Sequence, residues 1–186
     1  MFTTITNVNF NDEKLIEIIK EGVVLRDKIK ADYKVEGDLH DSAVWTGETK
    51  EEFLQKANAA SKNTLMETLS IEMIDFGDDF LIARMPVTPK VHQPDGVLHG
   101  GATAALAESV GSFASHIFID TDKLFVRGLE ITANHLKSVK DGYVYAKATF
   151  LHKGRTTQLL DIRVTDQADQ LISICRLSTI SLPKTK

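Results

Sequence analysis

The order of apolar and polar positions separates a first part of the chain, with one helical stripe, from a longer part dominated by alternation. Near the start, apolar residues recur every three or four positions, and this spacing predicts a helix over about residues 12–31. Asn11, just before it, is a typical N-cap residue. Residues 32–47 show neither period and are interpreted as a loop or linker. The apolar stripe consists of Leu15, Ile18, Ile19, Val23 and Ile29.

A shorter helix is predicted over about residues 50–62, after which the period changes from helical to alternating. Two alternating runs on either side of Gly77-Asp78-Asp79 predict a β-hairpin that ends at Pro86. A long helix is predicted over residues 98–118. Four further strands are predicted after it, at about residues 125–138, 143–151, 156–166 and 171–181.

This order of elements predicts an α+β fold, in which one antiparallel sheet must cover a single central helix. We expect two parts along the chain: an N-terminal helical extension with its linker over residues 1–47, and one domain over residues 48–186. The extension carries six Lys or Arg against nine Asp or Glu, so it supplies −3 of the net charge of −4.

Composition then excludes several classes of function. The net charge of −4 argues against a general nucleic-acid binder, which normally carries a basic excess. The single cysteine, Cys175, excludes a disulfide framework and is interpreted as a buried residue of the last strand. The first residues lack the pattern of a signal peptide, and no stretch approaches the ~20 apolar residues that span a bilayer. We therefore expect a cytoplasmic protein with no membrane partner, and no side-chain spacing predicts a metal site.

Candidate chemistry lies at the start of the long helix, where Gly100 and Gly101 follow His99. The first N–H groups of a helix lack intrahelical partners and the helix dipole is positive there, so this end is suited to bind an anion or an oxyanion. Glycine also lets a substrate approach the backbone closely. The alternative interpretation is that the glycine pair only allows the helix to start tightly.

Glu108 is the second candidate, because it is the one carboxylate in a helix composed mainly of apolar and small residues. Burying an unpaired carboxylate costs several kcal/mol, so such a residue needs a reason to be there. It is either a solvated residue at an exposed edge, a partner of a lysine, or a catalytic base or nucleophile. Ser112 lies one helical turn later on the same face and is its candidate hydrogen-bonding neighbour.

Several separated motifs occur together in the order typical of one protein family. They are Gln93-Pro94, Leu98-His99-Gly100-Gly101, Leu106-Ala107-Glu108-Ser109, Gly128-Leu129-Glu130-Ile131, Asn134-His135-Leu136-Lys137-Ser138 and Leu151-His152-Lys153-Gly154-Arg155. Over about residues 65–182 the chain resembles hotdog-fold acyl-CoA thioesterases, in particular the branch with a catalytic Glu on the central helix. That branch includes phenylacetate-pathway thioesterases, one group of 4-hydroxybenzoyl-CoA thioesterases and 1,4-dihydroxy-2-naphthoyl-CoA hydrolases.

The resemblance implies hydrolysis of an aryl- or medium-chain acyl-CoA to the free acid and CoA. In the implied site the Gly100 N–H polarises the thioester carbonyl, Gln93 binds that carbonyl or the water, and His99 borders them. Glu108 attacks the carbonyl or activates water, and Ser112 holds the water or the carboxylate. No separate cofactor is implied, since CoA is part of the substrate. Its candidate binding residues are Lys137, Ser138, His152, Lys153 and Arg155. The alternative for the basic ones is a solvated surface.

Helix geometry predicts that each site is shared between two chains. Gly100 and Glu108 are eight residues apart, which is ~12 Å along a helix that rises 1.5 Å per residue. A carbonyl on the Gly100 N–H is therefore out of reach of Glu108 in the same chain. The resemblance independently implies a homodimer with two sites at its interface, and we expect a dimer at least, or a tetramer.

Two other functions remain open from the sequence. One is a hotdog acyl-thioester dehydratase or hydratase, although His-Gly-Gly followed by a Glu fits the hydrolases better. The other is a non-hydrolytic acyl-CoA sensor, in which residues 1–47 act as a partner-binding or DNA-reading module. The acidic charge of that segment weighs against DNA.

Overall fold

The computed structural model describes residues 49–184. The predicted helix over residues 12–31 and the linker after it lie outside the described residues. The first described element is helix α1, Lys50–Ala60. Thr49 and Glu52 form a capping box at its start, because each side chain accepts a hydrogen bond from the backbone N–H of the other. The prediction of a helix here is confirmed, and it ends two residues earlier than expected.

A one-turn helix that the sequence pattern did not predict follows α1. This helix, α2, covers Leu65–Thr68 and begins at Thr64, whose hydroxyl accepts a hydrogen bond from the Met66 N–H. The sequence pattern predicts alternation directly after the first of these helices. The capping threonine turns the chain into a helical turn instead, and the strand begins only at Glu72.

Six antiparallel strands form one sheet in the order β1-β2-β4-β5-β6-β3. Each predicted strand is present, and the observed bounds differ from the predicted ones by a few residues. Gly142 and Asp169 take positive φ angles of 80° and 62° in the turns that join β4 to β3 and β5 to β6. The strands are β1 Glu72–Phe76, β2 Phe80–Pro86, β3 Leu124–His135, β4 Tyr143–Lys153, β5 Thr157–Asp166 and β6 Leu171–Pro183.

The long helix α3, Gly100–Ile117, packs on one face of this sheet and contacts all strands from β2 to β6. Leu106 and Val110 of this helix are fully buried. The close packing of α3 on the sheet requires a glycine at residue 111. A Cβ there would lie 2.7 Å from Leu177 Cδ2 and 2.9 Å from Ile162 Cδ1. The small residues of α3 therefore let the sheet pack closely around it, and the predicted cover of a central helix by one antiparallel sheet is observed.

The two edges of the sheet are treated differently. At β1, the side chain of Asn58 from α1 accepts a hydrogen bond from the Met73 N–H and donates one to the Met73 carbonyl, so the helix covers that edge. At β3, the other edge, residues 127–130 are exposed in succession and Leu129 forms a bulge with 60% of its surface exposed. None of the helices in residues 49–184 has the length and apolarity to cross a membrane.

Candidate active site

The first turn of α3 leaves one backbone N–H available. His99 is the N-cap, and its Nδ1 accepts a hydrogen bond of 2.8 Å from the Gly101 N–H. The His99 carbonyl accepts the next two, from Ala102 at 3.0 Å and Thr103 at 3.1 Å. In the described part of the chain no acceptor takes the Gly100 N–H. That donor, at the positive end of the helix dipole, is suited to hold an oxyanion.

The capping bond also defines the tautomer of His99. Because Nδ1 accepts a hydrogen bond, the proton of the neutral imidazole is on Nε2. The side chain is exposed, so this Nε2–H is free to donate to a substrate. Gly101 accommodates the ring, since a Cβ at that position would lie only 3.0 Å from His99 Nδ1. His99 therefore orients the site by capping the helix and by presenting one N–H.

A cavity of about 270 Å³ opens beside Gly100. The predicted site residues that line it are Gln93, Gly100, Lys137 and Ser138. The structure thus brings together side chains from the loop before α3 and from the segment after β3. The volume lies just under the usual range of about 300–1,000 Å³ for small-molecule sites. One chain therefore offers room for part of a ligand.

Gln93 is held at this cavity by a small hairpin-like loop before α3. His92 and Leu98 form an isolated antiparallel bridge, and the Gln93 N–H donates to the Val97 carbonyl at 2.9 Å. Gly96 takes a φ of +77° at the tip of the loop, a conformation that glycine adopts without strain. The Gln93 side chain, half-buried, is thereby fixed next to the start of α3.

His135 also lines the cavity, a position that the sequence pattern alone does not predict. Its ring lies against the start of α3, since a Cβ on Gly100 would be 2.7 Å from His135 Nε2. Any side chain at residue 100 would displace this imidazole. His135 belongs to the Asn134-His135 motif of the sequence. Its place at the cavity follows only from the tertiary structure, in which the end of β3 meets the start of α3.

Glu108 lies in the middle of α3 and is exposed. It is not among the residues that line the cavity at Gly100. Its carboxylate lies beside the edge strand, because a Cβ on Gly128 would be 3.3 Å from Glu108 Oε1. Ser112, one turn later, is half-buried. The structure therefore places the predicted carboxylate and the predicted oxyanion donor at different positions of the same chain.

The remaining predicted residues lie at the opposite end of α3. Lys153 Nζ is 3.4 Å from the centre of the Phe118 ring, and Phe118 is the C-cap of that helix. Burial lowers the pKa of Lys153, while the nearby carboxylates of Asp78 and Asp79 act in the other direction. The His152 ring lies next to Gly154 in the same hairpin.

The predicted CoA-binding residues therefore form two groups rather than one. Lys137 and Ser138 lie at the Gly100 end, while the group of His152, Lys153 and Arg155 follows the other end of α3. The 18 residues of α3 span about 27 Å, and this length separates the groups. Among residues 49–184, no three His, Cys, Asp or Glu side chains are grouped so that they could hold a metal ion.

The fold is a hotdog fold, as predicted, because one antiparallel sheet wraps around a single long helix. The thioesterase superfamily model matches residues 95–173. The proofreading thioesterase EntH of Cronobacter turicensis is 44% identical over 126 residues, which cover 68% of this chain and 91% of that protein. The chain therefore belongs to the thioesterase superfamily, and the prediction of a thioester hydrolase is confirmed at the level of the family.

Solved structures agree with this assignment. A crystal structure of a mutant of thioesterase PA1618 from Pseudomonas aeruginosa is 42% identical, with a TM-score of 0.69 over 70% of this chain and 94% of that one. Thioesterase HI1161 from Haemophilus influenzae is 37% identical, with the same TM-score over 72% of this chain and 92% of that one. Both likenesses cover nearly the whole length of the other protein, and they extend to less than three quarters of this chain.

Proposed function

We propose that this protein hydrolyses an aryl- or medium-chain acyl-CoA to the free acid and CoA, in the manner of the Glu-dependent hotdog branch that its motifs resemble. The observation that carries the proposal is the free Gly100 N–H beside a cavity that Gln93 also lines. A thioester carbonyl becomes an oxyanion when it is attacked, and a fixed N–H at a helix start stabilises that charge. His99 caps the same end of α3, where its exposed side chain would orient the site or transfer a proton.

Glu108 supplies the attack in this proposal. An ionised carboxylate either adds to the carbonyl and forms an acyl-Glu anhydride, which water then hydrolyses to the free acid and the carboxylate, or takes a proton from the water that adds instead. In both routes the tetrahedral oxyanion rests on the Gly100 N–H and the thiolate of CoA leaves. Ser112, one turn from Glu108 on the same helix, would bind the water or the carboxylate.

The site is proposed to be shared between two copies of the chain. Gly100 and Glu108 are eight residues apart on one helix, ~12 Å along its axis, so they cannot meet the same carbonyl within one chain. A long edge strand with unpaired backbone groups is a surface that proteins normally cover. In the described residues α1 covers β1, while β3 stays open next to Glu108. We infer that a second copy covers β3 and brings the partner subunit's Glu108 to Gly100.

The same arrangement accounts for the two groups of proposed CoA residues. Lys137 and Ser138 would bind the part of CoA that enters the cavity at Gly100. The group after the other end of α3, which includes Arg155, would come from the partner subunit and meet the phosphates, for which a guanidinium is well suited. The cavity of about 270 Å³ is then half of a larger site.

The test is a thiol-release assay on a panel of aryl-, short-chain and long-chain acyl-CoA thioesters, with Glu108→Gln as the paired variant. We expect turnover of aryl or medium-chain substrates and a fall in kcat of at least ~100-fold in the variant, as for the loss of a general base. Gln has the size and shape of Glu and residue 108 is exposed in the single chain, so the amide should leave the fold intact, and size-exclusion chromatography checks the assembly. Tight binding of acyl-CoA without thiol release would instead favour a sensor, and normal turnover by Glu108→Gln would contradict the role of Glu108.

A further inference from the structure

We propose that Ser173 is a positioning residue that fixes the tautomer of His135, so that His135 Nε2 accepts a hydrogen bond from the substrate's thiol arm. The inference rests on the proposed function and concerns the same site. The substrate group that His135 would recognise is the amide N–H nearest the thioester sulfur of CoA.

The position of His135 comes from the pairing of two strands. His135 is the last residue of β3, and Ser173 on β6 is directly opposite in the register. The ring extends from there over the start of α3, with Nε2 at 2.7 Å from the place that a Cβ on Gly100 would take. Nε2 therefore lies in the cavity wall beside the free Gly100 N–H.

The hydroxyl of Ser173 decides which ring nitrogen carries the proton. Ser173 is fully buried, and its Oγ lies 3.0 Å from the Asn134 carbonyl, 3.3 Å from His135 Nδ1 and 3.5 Å from Cys175 Sγ. A carbonyl only accepts, so the single hydroxyl proton is donated to Asn134. The two lone pairs of Oγ then accept from the Nδ1–H of His135 and from the Cys175 thiol.

The thiol is able to act as that donor because it remains protonated. Burial is the main cause that raises the pKa of Cys175 above its ordinary value. In this arrangement each of the three contacts of the Ser173 hydroxyl is a hydrogen bond.

With its proton on Nδ1, a neutral imidazole presents a lone pair at Nε2. The wall beside α3 then offers an acceptor, His135 Nε2, next to a donor, the Gly100 N–H. The thioester carbonyl takes the donor, so the acceptor requires an N–H or O–H from another part of the ligand. In a CoA thioester the nearest such group on the thiol arm is its amide N–H.

Two matched substrates and four proteins test this assignment. S-benzoyl-N-acetylcysteamine carries the amide N–H, and S-benzoyl-2-acetoxyethanethiol has an ester oxygen in its place. The full-length proteins are the wild type, Ser173→Ala, Ser173→Thr and, as control, Ser178→Ala. Ser178 is half-buried on the same strand, and its side chain points to the other face of the sheet.

We expect Ser173→Ala to raise KM for the amide substrate about five- to tenfold, which corresponds to one lost hydrogen bond, with kcat little changed. The same variant should not affect the ester substrate, Ser173→Thr should restore the wild-type KM, and Ser178→Ala should match the wild type. An equal loss on both substrates would show a merely structural role for Ser173 and overturn the proposal.

A measurement on the wild type keeps the two proposals separate. Nitrogen-15 NMR of the histidine rings, with His135 assigned by its absence in His135→Asn, reports which nitrogen is protonated. We expect the proton on Nδ1, and a proton on Nε2 would overturn the role of Ser173 whatever the activity. If the protein hydrolyses neither thioester nor any acyl-CoA, the proposed function fails, and the tautomer still decides the assignment of Ser173.

Discussion

Gly128 on β3 keeps a space for the carboxylate of Glu108, since a Cβ there would lie 3.3 Å from Oε1 and 3.9 Å from Leu177 Cδ1. Gly128→Ala should therefore push Glu108 aside by a few tenths of an ångström. We expect kcat to fall about tenfold with KM nearly unchanged, because a small displacement of a reacting group strongly lowers the rate of the chemical step. Steady-state kinetics with a benzoyl-CoA substrate measures this. The melting temperature serves as the control, and a lower melting temperature with full activity would contradict the argument.

His99 combines two roles that a pair of variants separates. Asn is a good N-cap residue, so His99→Asn should keep the helix start and lose only the Nε2–H. His99→Ala should lose both, at a cost of about 0.5–2 kcal/mol of stability. We expect both variants to lose at least about tenfold in kcat/KM and only the alanine variant to lose stability in urea unfolding. Full activity in His99→Asn would reduce His99 to a helix cap.

The sequence alone singles out candidate residues whose position within one element already has chemical consequences, and their roles remain predictions. Gly100 and Glu108 can be proposed as site residues from the sequence. A helix start leaves N–H groups unpaired, and an isolated carboxylate on a helix of small residues is costly to bury, whatever the tertiary structure. His135 could not be proposed in this way. Its proposed role depends on the end of β3 lying next to α3 and on Ser173 lying opposite His135, and Ser173 is 38 positions away along the chain.

At the scale of elements, periodicity identified every strand and both longer helices of the described residues. It missed α2, Leu65–Thr68, because a single capped turn is too short to establish a period. It also said nothing of which sheet edge is covered. That depends on one side chain, Asn58, which bonds the Met73 backbone and is indistinguishable in sequence from any polar residue of a helix.

The open edge at β3 leads to a prediction about how elements of two chains combine. Glu108→Ala and Gln93→Ala should each inactivate the enzyme, since they remove opposite halves of a shared site. After subunit exchange, a mixed dimer would contain one site with neither substitution and one site with both. We therefore expect activity to return when the two inactive proteins are mixed, up to about a quarter of the wild-type value, because half of the dimers are mixed and half of their sites are intact.

The matched control for this experiment is a mixture of two proteins altered on the same half of the site. Glu108→Ala mixed with Glu108→Gln should remain inactive after the same exchange, because every site then lacks the carboxylate. Subunit exchange itself is followed by mass spectrometry of isotopically labelled chains. If exchange is complete and the first mixture stays inactive, the site lies within one chain and the argument from helix length is wrong.

At the scale of the whole molecule, residues 1–47 form a segment that lies outside the hotdog domain in the sequence. Residues 1–47 are predicted from the sequence alone to carry one amphipathic helix, and a lone helix of about 20 residues is only marginally stable in water. The stripe of apolar residues must therefore be buried against something. The acidic balance of six Lys or Arg against nine Asp or Glu makes nucleic acid the least suitable partner. We expect this segment to pack on the hotdog body of its own or of a neighbouring chain.

Deletion of residues 1–47 tests that expectation without disturbing the described fold, because the capping box of α1 begins at Thr49. Turnover of a small acyl-CoA should stay within about tenfold, since every proposed catalytic residue lies beyond the deletion. The free energy of unfolding, the assembly size by light scattering, or the preference for acyl-chain length should change, because a buried apolar stripe has been removed. A truncated protein identical in all three would show that the segment has no packing role. A folded but inactive one would instead show that the extension holds a catalytic group.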